Sequence, residues 1–159
     1  MSSPQKIVSL GTLKRKVAGY RRSGKQVAFT NGCFDILHRG HVSYLQAAKK
    51  KDRVLIVGVN SDASVRRIKG PARPINSQND RAYVLAALCC VDCVVIFNED
   101  TPYNLIQAVK PDVLVKGADW KGKEVVGSDV VIKNGGRVEL IKYLTSYSTS
   151  KTIAMIQKQ

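Results

Sequence analysis

Apolar residues gather in five short runs, Gln26 to Phe29, Val54 to Val59, Val94 to Phe97, Val113 to Val115 and Val138 to Ile141, rich in Val, Ile and Leu. They do not alternate with polar positions, so they predict strands whose two faces are both covered. Between them, apolar positions recur at helical spacing. Leu10 to Arg22 places Leu13 and Val17 on one face and stops at Ser23-Gly24, and Gly40 to Lys50, Asn79 to Leu88 and Thr101 to Val109 are further helices. Strands alternating with helices predict an α/β fold: a Rossmann-like parallel sheet with helices on both faces, in a single domain. Residues 1–25 are expected to form an N-terminal helical segment packed into one compact unit with the domain at 26–159. Gly70-Pro71-Ala72-Arg73-Pro74 reads as a substrate-facing loop, not a boundary.

Ligands of such sheets bind beyond the carboxyl ends of the strands, near the point where strand order reverses. The unusual polar clusters all fall there: Gly32 to His41 after the first strand, Asn60-Ser61-Asp62 after the second, Lys116 to Trp120 after the fourth and Ser146 to Lys151 after the fifth.

The first cluster, Gly32-Cys33-Phe34-Asp35-Ile36-Leu37-His38-Arg39-Gly40-His41, holds both histidines of the chain, where a strand hands over to a helix. Free backbone N–H groups and the helix dipole favour an anion at such a junction. Two imidazoles three residues apart share one face of the first turn and can donate to one phosphoryl group. A zinc site would need Cys33 and Asp35 to complete the shell, and no metal site is expected. Ser148, Thr149 and Ser150 open a helical stretch carrying Ile153 and Ile156. Hydroxyls there are ordinary caps, and equally a second helix-terminal anion site. Lys69 and Arg73 in a loop, with Arg81 in the following turn, can meet phosphates or merely face solvent. Lys116-Gly117-Ala118-Asp119-Trp120 carries the chain's single Trp, and Asp119 is expected near a ligand.

The net charge of +14 attracts anions in general, from nucleotides and sugar phosphates to nucleic acid or an anionic membrane surface. No aromatic-interleaved basic motif of the RNA-binding sort accompanies it. No apolar run approaches the roughly 18 residues of a membrane span, and no secretory signal follows Met1, so a cytoplasmic location is expected. Cys89, Cys90 and Cys93 have metal-like or redox spacing without a second pair, and are expected as buried structural thiols.

The decapeptide resembles the Gly-x-Phe-Asp-x-x-His-x-Gly-His signature of the nucleotidyltransferase superfamily. The middle of the chain narrows the resemblance. Lys69-Gly70 with Arg73-Pro74-Ile75-Asn76 and Arg81, Val91 to Pro102, Pro111 to Trp120, and Tyr147-Ser148-Thr149 together are similar to heptose 1-phosphate adenylyltransferases, from about Val27 to Ile156. In that family the domain stands alone or is fused to a sugar kinase, and this chain resembles the stand-alone form. Ala118, at a place often held by Gly, and Asp80, often Gln, depart modestly.

The resemblance implies transfer of AMP from ATP to heptose 1-phosphate, with Mg²⁺ as triphosphate partner. It assigns catalytic roles to His38, His41, Lys69 and Arg81. Nucleotide contacts fall to Gly32, Cys33, Phe34, Asp35 and Gly40, to Lys116, Gly117 and Asp119, and to Ser148, Thr149 and Ser150. Small-molecule substrates, self-association into a homo-oligomer, and no nucleic-acid or membrane partner are expected. A CTP-dependent cytidylyltransferase acting on a phospho-alcohol such as glycerol 3-phosphate shares the signature, and a non-catalytic nucleic-acid-binding module would share the charge.

Overall fold

The computed structural model describes residues 2–142 and 147–156. Strands β1 (Gln26–Gly32), β2 (Arg53–Asn60), β3 (Cys93–Phe97), β4 (Val113–Gly117) and β5 (Arg137–Ile141) form one parallel sheet in the order β3-β2-β1-β4-β5. Each apolar run of the sequence became a strand, extended by up to three residues toward its polar neighbour. Helices are α1 (Ser3–Lys6), α2 (Leu10–Arg22), α3 (Arg39–Ala48), α4 (Asp62–Lys69), α5 (Gln78–Ala87), α6 (Tyr103–Val109), α7 (Ser128–Lys133) and α8 (Thr149–Ile156).

Two apolar cores sandwich the sheet. Val27, Phe29 and Ile56 face Leu13 and Val17 of α2 and Leu105, Ile106 and Val109 of α6. Ala28, Leu55 and Val57, the alternate positions, face Leu45 and Ala48 of α3 and Ala82, Leu85 and Ala86 of α5. A side chain such as Phe29 or Leu45, fully buried, contributes about 1.5–3 kcal/mol. Burial on both sides fixes the strand ends that carry the polar clusters.

Strand order reverses between β1 and β4. Their pairing covers Ala28↔Val113 and Phe29↔Leu114, whereas β1 stays in register with β2 as far as Gly32↔Val59. Beyond Phe29 and Leu114 the two strands part, and a crevice opens at the carboxyl edge of the sheet.

Two helices were not anticipated. α4 is short and basic, and its apolar content is little more than buried Val65 and half-exposed Ile68, so periodicity was weak. Its cap was nevertheless readable, because the Ser61 hydroxyl accepts from the Ser64 N–H at 3.1 Å. α7 contains Val130-Val131-Ile132, a β-branched run without helical spacing.

The cysteine expectation needs one correction. Cys90 and Cys93 are buried, but Cys89 is exposed where α5 has ended. Cys93 sits in the core with its Sγ 3.5 Å from the Tyr20 hydroxyl, a packing role. Among the described residues no three His, Cys, Asp or Glu side chains gather as metal ligands would. The triple variant C89A/C90A/C93A is expected to keep its turnover and lose about 1 kcal/mol per buried thiol, with no stoichiometric zinc in the wild type. One zinc per chain by metal analysis, absent from the variant, would reverse this assignment.

Candidate active site

β1 ends at Gly32, and the chain turns through Phe34 in the left-handed region at φ 47° before α3 begins. That turn sets the Phe34 ring edge-on to the His41 ring, with centroids 5.1 Å apart. His38 caps α3, its Nδ1 accepting the His41 backbone N–H at 3.4 Å. With Nδ1 an acceptor, Nε2 carries the His38 proton and is free to donate. One turn of helix stacks the two imidazoles, 3.8 Å between centroids and 16° between planes. A Cβ at residue 40 would lie 3.1 Å from the His38 ring, so any larger residue there would press on the imidazole.

Burial, and then the neighbouring His38, pull the His41 pKa down to about 4. His38 is also lowered by burial. Both rings are therefore neutral near pH 7 and each offers one N–H. His41 Nδ1 is buried without a hydrogen-bond partner among the described residues.

Asp35 is buried and bound inward. Its carboxylate accepts from Arg73 Nε at 2.5 Å, the Ile75 N–H at 2.8 Å and the Asn76 N–H at 3.0 Å. Asn76 Nδ2 returns to the Asp35 carbonyl at 2.6 Å. The signature loop is thus tied to the 70–77 loop through Asp35, a residue expected as a nucleotide contact.

Arg81 is placed differently from the expectation that it meets a phosphate. Its side chain has no exposure. The guanidinium donates to the carbonyls of Cys33, Asn60 at 2.7 Å and Asn76 at 3.0 Å, and pairs with Asp62 at 2.9 Å. Its N–H donors go to the ends of β1 and β2, to the 70–77 loop and to Asp62, and it lines a small cavity with Phe34 and Asp35. Arg81 positions the site from behind.

All other expected site residues except Gly40, which packs under His38, line one cleft of about 720 Å³ over the crevice between β1 and β4. On the β1 side stand both histidines and Lys69, the exposed last residue of α4. There too lies the start of α8, where the Thr149 hydroxyl donates to the Ile36 carbonyl at 3.2 Å and Ser148 and Ser150 face the cleft. Ser146 lies outside the described residues. Tyr147, whose ring lies 6.1 Å from that of His38, lines the same wall.

On the β4 side stand Lys116, Gly117, Asp119 and Trp120. Lys116 Nζ donates to Asn31 Oδ1 at 2.5 Å and lies 5.4 Å from the Trp120 ring centroid. Trp120 also packs against the core from its partly buried position, so it serves both settings. Asn31 was missed as a site residue, although a polar residue closing an apolar strand was the signal for it. Cys33 lines the cleft, but burial raises its thiol above the ordinary range against the pull of Lys69, Arg81 and Arg73. A protonated thiol is a weak nucleophile.

The likeness to known proteins runs along this whole frame. The bifunctional protein HldE of Wolinella succinogenes is 56% identical over 155 residues, which are 98% of this chain and 32% of that protein. The bifunctional protein HldE of Nitratiruptor sp. is 63% identical over 132 residues, 83% of this chain and 28% of that protein. The chain thus spans under a third of the length of these curated relatives.

Among solved structures, the lipopolysaccharide core biosynthesis protein from Thermoplasma volcanium is 30% identical with a TM-score of 0.61, over 76% of this chain and 97% of that one. Pantoate-beta-alanine ligase from Francisella tularensis, at 15% identity and TM-score 0.60 over 96% of this chain and 79% of that one, shares the fold. The family model described as cytidylyltransferase-like matches residues 29–153, from the middle of β1 into α8 and across both walls of the cleft, and it is to this cytidylyltransferase-like family that the chain belongs.

Proposed function

We propose that this chain transfers AMP from ATP to heptose 1-phosphate, giving ADP-heptose and pyrophosphate. The observation that carries the reading is the stacked histidine pair at the start of α3, in one cleft with the hydroxyl-bearing start of α8. The resemblance of Lys69 to Arg81 and of Lys116 to Trp120 to heptose 1-phosphate adenylyltransferases, and the similarity to the HldE proteins, support this choice of substrates.

The chemistry is a single displacement. An oxygen of the acceptor phosphate forms a bond to the α-phosphorus of ATP as the bond from that phosphorus to the bridging oxygen breaks, and pyrophosphate leaves with the electron pair. The attacking phosphate is already an anion at neutral pH, so no proton need be removed and no covalent enzyme intermediate is formed. Positioning and charge stabilisation carry the rate. The His38 and His41 N–H groups donate to oxygens that gain charge, Lys69 neutralises the triphosphate from the rim, and Ser148 and Ser150 with the first-turn N–H groups of α8 hold its outer phosphates.

Among the described residues no carboxylates gather as a cage for Mg²⁺. Of those lining the cleft, Asp35 is saturated by Arg73, Ile75 and Asn76, Asp100 is paired with Arg67, and Asp119 stands on the β4 wall. Mg²⁺ belongs here as the counter-ion of the triphosphate, held by phosphate oxygens and water.

Pyrophosphate release, measured with four nucleoside triphosphates against several sugar phosphates, tests the reading. His38→Ala and His41→Ala are each expected to lower kcat at least about a hundredfold, about 2.7 kcal/mol of transition-state stabilisation, with a smaller change in KM for ATP. Turnover near the wild-type value in either variant removes that histidine from the transition state.

A further inference from the structure

Three cations line the cleft, and they are not equivalent. Arg73 is bound to the buried carboxylate of Asp35. Lys69 is exposed on the rim. Lys116 alone of the three is buried, at 8% exposure, and it belongs to none of the ion pairs among the described residues.

An ammonium has three donors, and one of them is spent on Asn31. A buried cation without a counter-ion is costly, and beyond Asn31 and the Trp120 ring its remaining donors are suited to an anion in the cleft. Asp119, the charged neighbour that acts on it, lies beyond ion-pairing distance.

Its place in the fold selects the anion. β1 and β4 part after Phe29 and Leu114, and Lys116 stands on the β4 side of the parting, reaching across it to Asn31. The signature loop, α3 and the start of α8, joined through Thr149 and Ile36, all belong to the other wall. That wall already supplies partners for the triphosphate. In a direct displacement the attacking and leaving oxygens lie on opposite sides of the α-phosphorus. With pyrophosphate leaving along the wall of α3 and α8, the attacking group enters over β4.

Resting on the nucleotidyl-transfer reading above, we infer that Lys116 binds the phosphate of the acceptor, and not the nucleotide. Its buried charge offsets the repulsion between that phosphate and the triphosphate it attacks, where solvent would otherwise have to do so.

The test is a comparison of Lys116→Met and Lys116→Arg with wild type, each substrate being varied at saturating levels of the other. Lys116→Met is expected to raise KM for the sugar phosphate at least about tenfold and to leave KM for ATP within about twofold, and Lys116→Arg to restore part of the loss. A rise in KM for ATP alone would make Lys116 a nucleotide ligand, and unchanged values for both substrates would remove it from the site.

The wild type supplies a second measurement that needs no variant. Burial, opposed by Asp119, pulls the Lys116 pKa down to about 8. The charged form is the one that binds an anion, so kcat/KM for the sugar phosphate should fall as pH rises through about 8 while that for ATP holds. The absence of that limb, or its appearance on the ATP side, overturns the inference even if Lys116→Met fails to fold. Should the wild type prefer another phosphorylated acceptor, the proposed substrate is wrong, yet the same comparison with that acceptor still decides the role of Lys116.

Discussion

Exchanging the pair ATP and heptose 1-phosphate for CTP and glycerol 3-phosphate is expected to lower kcat/KM at least about a thousandfold, about 4.1 kcal/mol of transition-state stabilisation. The signature and the hydroxyl cluster cannot produce such a difference, because they handle phosphates common to both pairs. Discrimination has to come from fixed polar groups beyond the phosphate subsites. An acceptor with several hydroxyls pairs them, whereas a shorter one leaves them desolvated and unpaired. Asp119 on the β4 wall is a candidate, since it lines the cleft and takes part in none of the ion pairs among the described residues. Asp119→Ala should therefore narrow the gap. Steady-state kinetics on the two pairs decides it, and comparable efficiencies or a preference for CTP would move the chain to the cytidylyltransferase reading.

Arg81→Ala is expected to destabilise the fold by about 3–5 kcal/mol, the usual result of removing one partner from a buried ionic network. The carbonyls of Cys33, Asn60 and Asn76 would lose their donor together, and Asp62 its counter-charge. For a domain of this size the melting temperature should fall by about 6 °C or more in the absence of any ligand. A phosphate ligand behaves in the opposite way, since its removal raises KM and leaves the ligand-free melt almost unchanged. A thermal melt of the apo variant beside its KM for ATP separates the two roles, and an unshifted melt with a weakened KM would return Arg81 to the cleft.

Arg81 also shows where reading the sequence stops. The strands were legible because both faces of the sheet are covered, which makes their apolar runs continuous; Val54 to Val59 needs no neighbour to be recognised. The histidine pair was legible because its geometry is local, one helical turn between residues 38 and 41. Besides Asp62, the partners of Arg81 are backbone carbonyls, two of them 21 and 48 residues away, and a carbonyl leaves no mark in the sequence. The same applies to Asn31 and Lys116, which are 85 residues apart and meet only because β4 lies beside β1. α7 was hidden for a different reason, its Val-Val-Ile run having strand composition on a helix that tertiary packing stabilises.

The knot formed by Asp35, Arg73, Asn76 and Arg81 has a consequence for engineering. Residues 32–41 and 70–81 form a single module in two pieces of chain, since each provides the hydrogen-bond partners that the other needs. A chimera whose imported 70–81 segment lacked the counterparts of Arg73, Asn76 or Arg81 would strip Asp35 and the Cys33 carbonyl of their donors. A graft of that segment should therefore carry these three side chains with it.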